Sequence, residues 1–330
     1  MDFINETQLQ AELFRSMLAE DEMMLGVVVA KATYRISLEG EAILDTEAPF
    51  PIAKESTVHP FGEMPTDMVP WKRGVDLFVL GNAYAPGLEP APTATASVRV
   101  GTFSQKAAIL GDRTFIRMNG GIVISDPKPF VKIPLTLEHA YGGKAKARGG
   151  EISNGYNPLG KGFLLDEAEA PGASLPNIEN PDALLQKWTD QPIPFTFTPM
   201  PLASQYRADD MLVTDPTTGE VSMHEVSFNS AHPNLRLAAL NRDDEVEITG
   251  MTPKDPLRFA IPPLQLDAHI WLNDRHYNFP LRADTLAVFV DERRFFVVYR
   301  CHFTYSFIGE EARLIRLRQT MASSTGDKSS

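Results

Sequence analysis

Alternation with a period of two is the feature that most restricts this chain. Val28, Ala30, Ala32, Tyr34, Ile36 and Leu38 fall on one face of an extended segment, while Lys31, Thr33, Arg35 and Ser37 fall on the other. That is β-strand side-chain geometry. Similar runs recur at 76–82, 94–100, 105–110, 220–228, 245–249, 266–272, 276–279, 286–290 and 295–308. Short polar links such as Asn273-Asp274 and Asp291-Glu292-Arg293-Arg294 suit antiparallel hairpins. The strand-then-helix alternation of a doubly wound nucleotide fold is missing. The sequence therefore predicts a mainly β fold of antiparallel, sandwich-like layers with long Pro/Gly-rich loops, one N-terminal helix and few short helices.

The helical expectation comes from the first residues. Asn5 followed by Gln8 has the form of a capping box, and Leu9, Leu13 and Met17, with Phe14 and Leu18, recur at helical spacing. Residues 1–24 read as a helical extension and 25–318 as a β-rich domain. Within that domain the alternation fails over 126–201, a stretch dense in Pro and Gly and far longer than an ordinary connection. It reads as ordered loops that divide the domain into two subdomains. A short helix is expected inside it, with Asn180 as cap, Pro181 in the first helical position and Ala183 to Trp188 following. Residues 319–330 are small and polar, as in a frayed tail.

Charge and composition narrow the class of partner. The 330 residues carry 31 Lys and Arg against 43 Asp and Glu, a net charge of −12. No basic cluster is long enough to track a phosphodiester backbone, so no nucleic-acid partner is expected. The first 25 residues lack a basic n-region and an uninterrupted apolar core, and no run reaches the roughly 18 apolar residues of a membrane span. A cytoplasmic location without a membrane partner follows as an expectation. The one cysteine rules out an internal disulfide.

Individual motifs speak mostly against catalysis. "GYNPLGKG" at 155–162 is one residue short of a phosphate-binding loop. Such a loop needs unbroken amide donors, a helix starting at once and a Ser or Thr hydroxyl for the metal ion. Here Pro158 removes a donor, Gly162 stands where the hydroxyl belongs, and Gly160 with Gly162 opposes an early helix. The segment reads instead as a tight loop: Asn157 caps its own turn, Pro158 fixes φ, Gly160 and Gly162 take conformations closed to other residues, Lys161 stays solvated and Phe163 anchors by burial. The seven histidines show no metal-ligand spacing. Cys301 shares a strand face with Phe295, Val297, Tyr299, Phe303 and Tyr305, while His302 points away, so a core thiol is expected. No G-x-S-x-G elbow occurs, and the adjacent acids Glu20-Asp21-Glu22 and Asp209-Asp210 read as solvated faces. No catalytic, cofactor-binding or metal-binding residue is assigned.

Several segments in order resemble one family: "VVVAKATYRI" at 27–36, "DMVPWKRGVDLFVLGNAYAP" at 67–86, "GDRTF" at 111–115, "SDPKPFVKIPLTLEHAYGG" at 125–143, "NPLGKGF" at 157–163 and "LPNIENP" at 175–181, then "NSAHPNLRLAALNRDDEVEITGMTP" at 229–253 and "DTLAVFVDERRFFVVYR" at 284–300. Together they resemble the domain of unknown function 2169 family, which is associated with bacterial type VI secretion. The most specific parts are Asn157, Pro158, Gly160, Lys161, Gly162 and Phe163 in the first signature, and Leu175, Pro176, Asn177, Ile178, Glu179 and Pro181 in the second. The chain departs from the family pattern in the segment before Val27 and in a weaker "TFTPMP" at 196–201. The resemblance implies a cytoplasmic adaptor chaperone that binds a secreted effector toxin and helps load it onto the valine-glycine-repeat spike protein. The signature loops would then be scaffold or cargo surface. Two other readings stand beside it: a carboxylate-dependent hydrolase acting on an oligosaccharide or peptide, with its acids in 126–201, and a structural component of the secretion machine.

Overall fold

Residues 23–36 form a 14-residue strand, Met23–Ile36, and the molecule is assembled around it. The computed structural model describes residues 1–17, 23–118, 120–147, 149–200, 212–219, 221–224, 226–254, 256–273, 275–306 and 313–320. Met23–Ile36 pairs antiparallel with Arg294–Ser306 from Met23↔Ser306 to Arg35↔Arg294. These two strands centre a seven-stranded sheet in the order Gln10–Met17, Met23–Ile36, Arg294–Ser306, Arg282–Phe289, Val75–Leu80, Arg236–Leu237, with Ala42–Leu44 also on Met23–Ile36. Val75–Leu80 runs parallel to Arg282–Phe289, and the other neighbours are antiparallel.

The central strands are buried along almost their whole length, so both faces of the sheet are covered. On one face Phe295 stacks on Phe259 at 4.5 Å and on Tyr34 at 4.8 Å. This brings in a five-stranded antiparallel sheet: Ile178–Glu179, Phe103–Leu110, Thr93–Val100, Glu245–Thr249, Leu257–Ala260. The same face meets a four-stranded sheet through Phe303 and Phe279, whose order is Asp2–Asn5, Arg313–Thr320, Gln265–Leu272, Arg275–Pro280. The mainly β, sandwich-like layering expected from the alternation is what the chain forms. Each fully buried Phe or Leu in these layers contributes about 1.5–3 kcal/mol. Cys301 is buried on the Phe295 face as expected, and burial pushes its thiol up to about 12.

Two local expectations are corrected. Residues 1–17 form no helix: Asp2–Asn5 pairs parallel with Arg313–Thr320, and Gln10–Met17 pairs antiparallel with Met23–Ile36 from Gln10↔Lys31 to Met17↔Met24. The spacing of Leu9, Leu13 and Met17 is four residues, which keeps one face in a strand as well as in a helix. The open edge of a long apolar strand decides between them. Asn5 still makes cap-like bonds, its Oδ1 accepting from Thr7 N at 3.0 Å, but they close a turn between strands. Nor do residues 183–188 form a helix. Asn180 Oδ1 does accept from Asp182 N at 3.1 Å, but Glu179 Oε2 takes Leu185 N at 2.7 Å and Asp190 Oδ2 takes Gln186 N and Lys187 N, each at 2.8 Å. Carboxylates thus hold the amides that a helix would need.

The Pro/Gly-rich stretch contains more structure than loops. Phe115, Tyr141, Ala145, Phe163, Ala170, Leu175 and Leu185 form a second, smaller core, separate from the main one. Two ribbons flank it, Phe115–Met118 with Gly121–Ile124 and Lys144–Ala147 with Gly150–Ser153. Of the run at 220–228, Val221–Met223 is a strand, paired with Leu212–Thr214. Gln319 and Thr320 close the Arg313–Thr320 strand instead of fraying, and 321–330, Glu20-Asp21-Glu22 and Asp209-Asp210 lie outside the described residues. Among the described residues the only helical segments are single 3-10 turns, and no helix is long and apolar enough to cross a membrane.

Candidate functional site

The first signature closes against the "HAYGG" segment at 139–143. Asn157 is fully buried. Its Nδ2 donates to Leu137 O at 2.7 Å and Tyr141 O at 2.9 Å, and its Oδ1 accepts from Leu159 N at 3.1 Å. Two carbonyls on one side and an amide on the other fix the orientation of the carboxamide. Around it the backbones come into contact, with Gly143 N donating to Asn157 O at 2.7 Å and Lys161 N to Ala140 O at 3.1 Å. Tyr141↔Lys161 and Gly142↔Gly162 form a short parallel ladder.

The glycines meet this closeness in different ways. Gly162 has a φ of 96°, the left-handed region expected of it. Gly160 does not have a positive φ, which corrects the expectation. It is held to glycine by space, since a Cβ there would sit 2.5 Å from Asn157 Nδ2 and 2.6 Å from Ala140 O. Lys161 is half-buried and not freely solvated, and burial lowers its ammonium pKa against the opposing pull of Asp112. Pro158 is half-buried and Phe163 is buried in the small core.

The second signature joins that core to the five-stranded sheet. Ile178 pairs with Ile109 and Leu175 packs in the small core. Asn177 Nδ2 donates to Leu110 O at 2.8 Å, and its Oδ1 lies 2.9 Å from His139 Nδ1. Glu179 is buried in an ion pair with Arg113, which also donates to Pro176 O at 2.8 Å. Pro181 is exposed at the end of the segment. The structure thus brings both signatures together on one small core, with Asn157, Asn177 and Glu179 buried and Lys161 and Asn180 half-buried.

A second constellation escapes sequence reasoning. Lys31, Val298, Thr285 and Asp76 lie side by side across the seven-stranded sheet, on the face opposite Phe295. Lys31 Nζ lies 2.5 Å from Asp67 Oδ2 and donates to Pro51 O at 2.9 Å. Lys72 Nζ lies 3.0 Å from Asp76 Oδ2 and donates to Thr285 Oγ1 at 2.8 Å. Arg300 Nε lies 2.5 Å from Asp284 Oδ2, beside the irregularity between Ala283 and Thr285. Asp76 also accepts from Asn229 Nδ2 and Ser230 N, both at 2.9 Å. Burial lowers the Lys31 pKa, with Asp67 pulling the other way. Above Lys31, Lys72 and Thr285 lies a half-open cleft of about 500 Å³, walled by Phe50, Phe78, Phe289 and Phe296 and bordered by the chain from 50 to 67.

In the sequence Lys31 and Thr33 read as an outward polar face, because nothing local announces that residues 45–67 cover it. The signal that could have found the site is a lysine set directly after the apolar run 23–30 in the middle of a fourteen-residue strand, since buried lysines require partners.

No curated protein and no solved structure matches the chain. A family model described as "Uncharacterized protein conserved in bacteria (DUF2169)" matches residues 21–300, and by that match the chain belongs to the DUF2169 family.

Proposed function

We propose that the chain is a non-catalytic adaptor chaperone, which binds a secreted effector toxin of a type VI secretion system and helps load it onto the valine-glycine-repeat spike. The observation that carries this reading is the side chain of Leu159. It is 57% exposed, yet its own N–H is held by the fully buried Asn157, and its neighbour Gly160 fits only without a side chain. An apolar group displayed from a locked backbone is suited to protein recognition, because little conformational freedom remains to be lost on binding. Met118, Val123, Ile152 and Leu165 are further exposed apolar residues on the same small unit. The secretion setting rests on the series of motifs. Three of the acids of 126–201 among which a hydrolase would seek its pair are engaged structurally: Glu179 with Arg113, Asp190 with two amides and Asp166 with Ala168 N.

Co-expression with the effector and spike genes of the host tests the proposal. The expected result is a complex that co-elutes in gel filtration and is weakened at least tenfold by Leu159→Glu, an exposed substitution that leaves the clamp intact. Failure of both partners to co-elute with the wild-type chain would overturn it.

A further inference from the structure

We infer that the cleft over the seven-stranded sheet is a peptide-recognition site, taking an apolar, preferably aromatic, side chain and a main-chain carbonyl of an extended segment of a protein partner. This deepens the adaptor reading and rests on it for the identity of the partner. Three features of the cleft lead there.

The first is the charge of the floor. On it Lys31 with Asp67 and Lys72 with Asp76 balance one for one, and at the rim Lys54 pairs with Glu12, so a charged guest would find no unpaired counter-charge on the floor. The second is a spare donor. The Lys72 side chain is 3% exposed and lines the cleft, and two acceptors, Thr285 Oγ1 and Asp76 Oδ2, occupy its ammonium. Its third N–H has no oxygen acceptor among the described residues, and only the Phe78 ring faces the ammonium, at 5.9 Å. A neutral acceptor such as a peptide carbonyl completes it, whereas a carboxylate would place a second negative charge beside that of Asp76. Aromatic walls then favour an apolar group next to that carbonyl, and about 500 Å³ lies in the range of small-ligand sites.

The third feature is an open edge at the mouth. Thr57–His59 and Gly62–Met64 form a ribbon that pairs with no other strand among the described residues, and residues 54–56, which line the cleft, lead into it outside any strand ladder, the Lys54 carbonyl accepting from Thr66 Oγ1 at 3.0 Å. An incoming extended segment adds a strand there while alternate side chains drop into the cleft. Val58 stands at this lip with 95% of its surface exposed.

The test has two arms. In the first, methyl NMR of the full chain is titrated with N-acetyl-phenylalanine amide, N-acetyl-phenylalanine and N-acetyl-lysine amide. The expected result is saturation by the neutral aromatic amide on the order of 1 mM, as befits so small a probe, with shifts centred on Ile52, Val58 and Met64 and weaker binding of the other two. No saturation, or shifts centred on Leu159 and Leu165, would overturn the inference. In the second, a photo-crosslinking amino acid replaces Val58 or Leu159 during co-expression with the effector and spike proteins. Crosslinking from position 58 and at least a tenfold weakening by Val58→Asp support the site. If the complex forms but position 58 captures nothing and Val58→Asp binds as the wild type does, the cleft inference falls while the adaptor reading stands. If no complex forms yet the amide saturates the cleft, the adaptor reading falls instead and the cleft remains a peptide-like site.

Discussion

Replacing Asn157 tests whether the first signature exists to hold backbone. Asn157→Ala removes two donated bonds and one accepted bond from a fully buried position. At about 0.5–1.5 kcal/mol net for each bond, and with Leu159 N left without its acceptor, the loss is roughly 2–4 kcal/mol. For a chain of 330 residues the usual unfolding entropy per residue converts this to about 3–6 °C in Tm. Asn157→Asp is the sharper variant, because it sets a carboxyl group against the carbonyl oxygens of Leu137 and Tyr141. Burial among acceptors raises its folded pKa above the unfolded value of about 3.9. The folded state then binds more protons between those two values, so stability relative to wild type is best below about pH 4 and falls as pH rises through the folded pKa. Scanning calorimetry at pH 4 and pH 7 reads both effects. An Asn157→Ala variant within about 1 °C of wild type, or an Asn157→Asp deficit that does not widen from pH 4 to pH 7, would refute the clamp.

Further consequences are open to measurement. Gly160→Ala should lower stability in urea by about 1–3 kcal/mol through crowding of Asn157 and the Ala140 carbonyl, and an unchanged midpoint would contradict the packing. Asp67→Asn leaves the Lys31 ammonium buried without its counter-charge and should cost about 3–5 kcal/mol, read from the same urea curves. Burial, with Arg236 nearby, pushes His232 down from 6.5 to about 4. The unfolded chain then binds more protons between those values, so its contribution, on the order of 3 kcal/mol, is present above pH 6.5 and lost as pH falls towards 4. His232→Gln should flatten that part of the stability profile. Cys301 should react with a thiol reagent at pH 8 only at the rate of unfolding, because the native thiol is buried and pushed up to about 12.

The strands were legible because alternation is local. The Glu245–Thr249 strand begins and ends where the pattern does, and Gln265–Leu272 differs by one residue. The N-terminal strands were not, since Leu9, Leu13 and Met17 satisfy both periods and only an edge supplied by Met23–Ile36, itself paired far away with Arg294–Ser306, selects between them. Asn157 as a turn cap and Phe163 as an anchor could be read from the loop itself, because their partners lie nearby or simply inside. Gly160 could not be read correctly, because the Ala140 and Tyr141 carbonyls crowd it from across the ladder and Asn157 Nδ2 does so only once it has turned to bond the Leu137 and Tyr141 carbonyls. The same applies to Lys31, whose partner Asp67 and cover at Pro51 arrive from outside its strand. Long-range contacts of this kind leave only an oddity in the local pattern, here a lysine among valines and alanines.

The adaptor reading is tested most directly by deleting the gene in its host and measuring two proteins at once: the cellular and secreted levels of the effector, and secretion of the tube protein of the same machine. Loss of the effector with the tube protein still secreted, restored by the wild-type gene and not by the Leu159→Glu variant, is the predicted result. Normal effector levels and secretion in the deletion strain, or loss of tube secretion together with the effector, would contradict it.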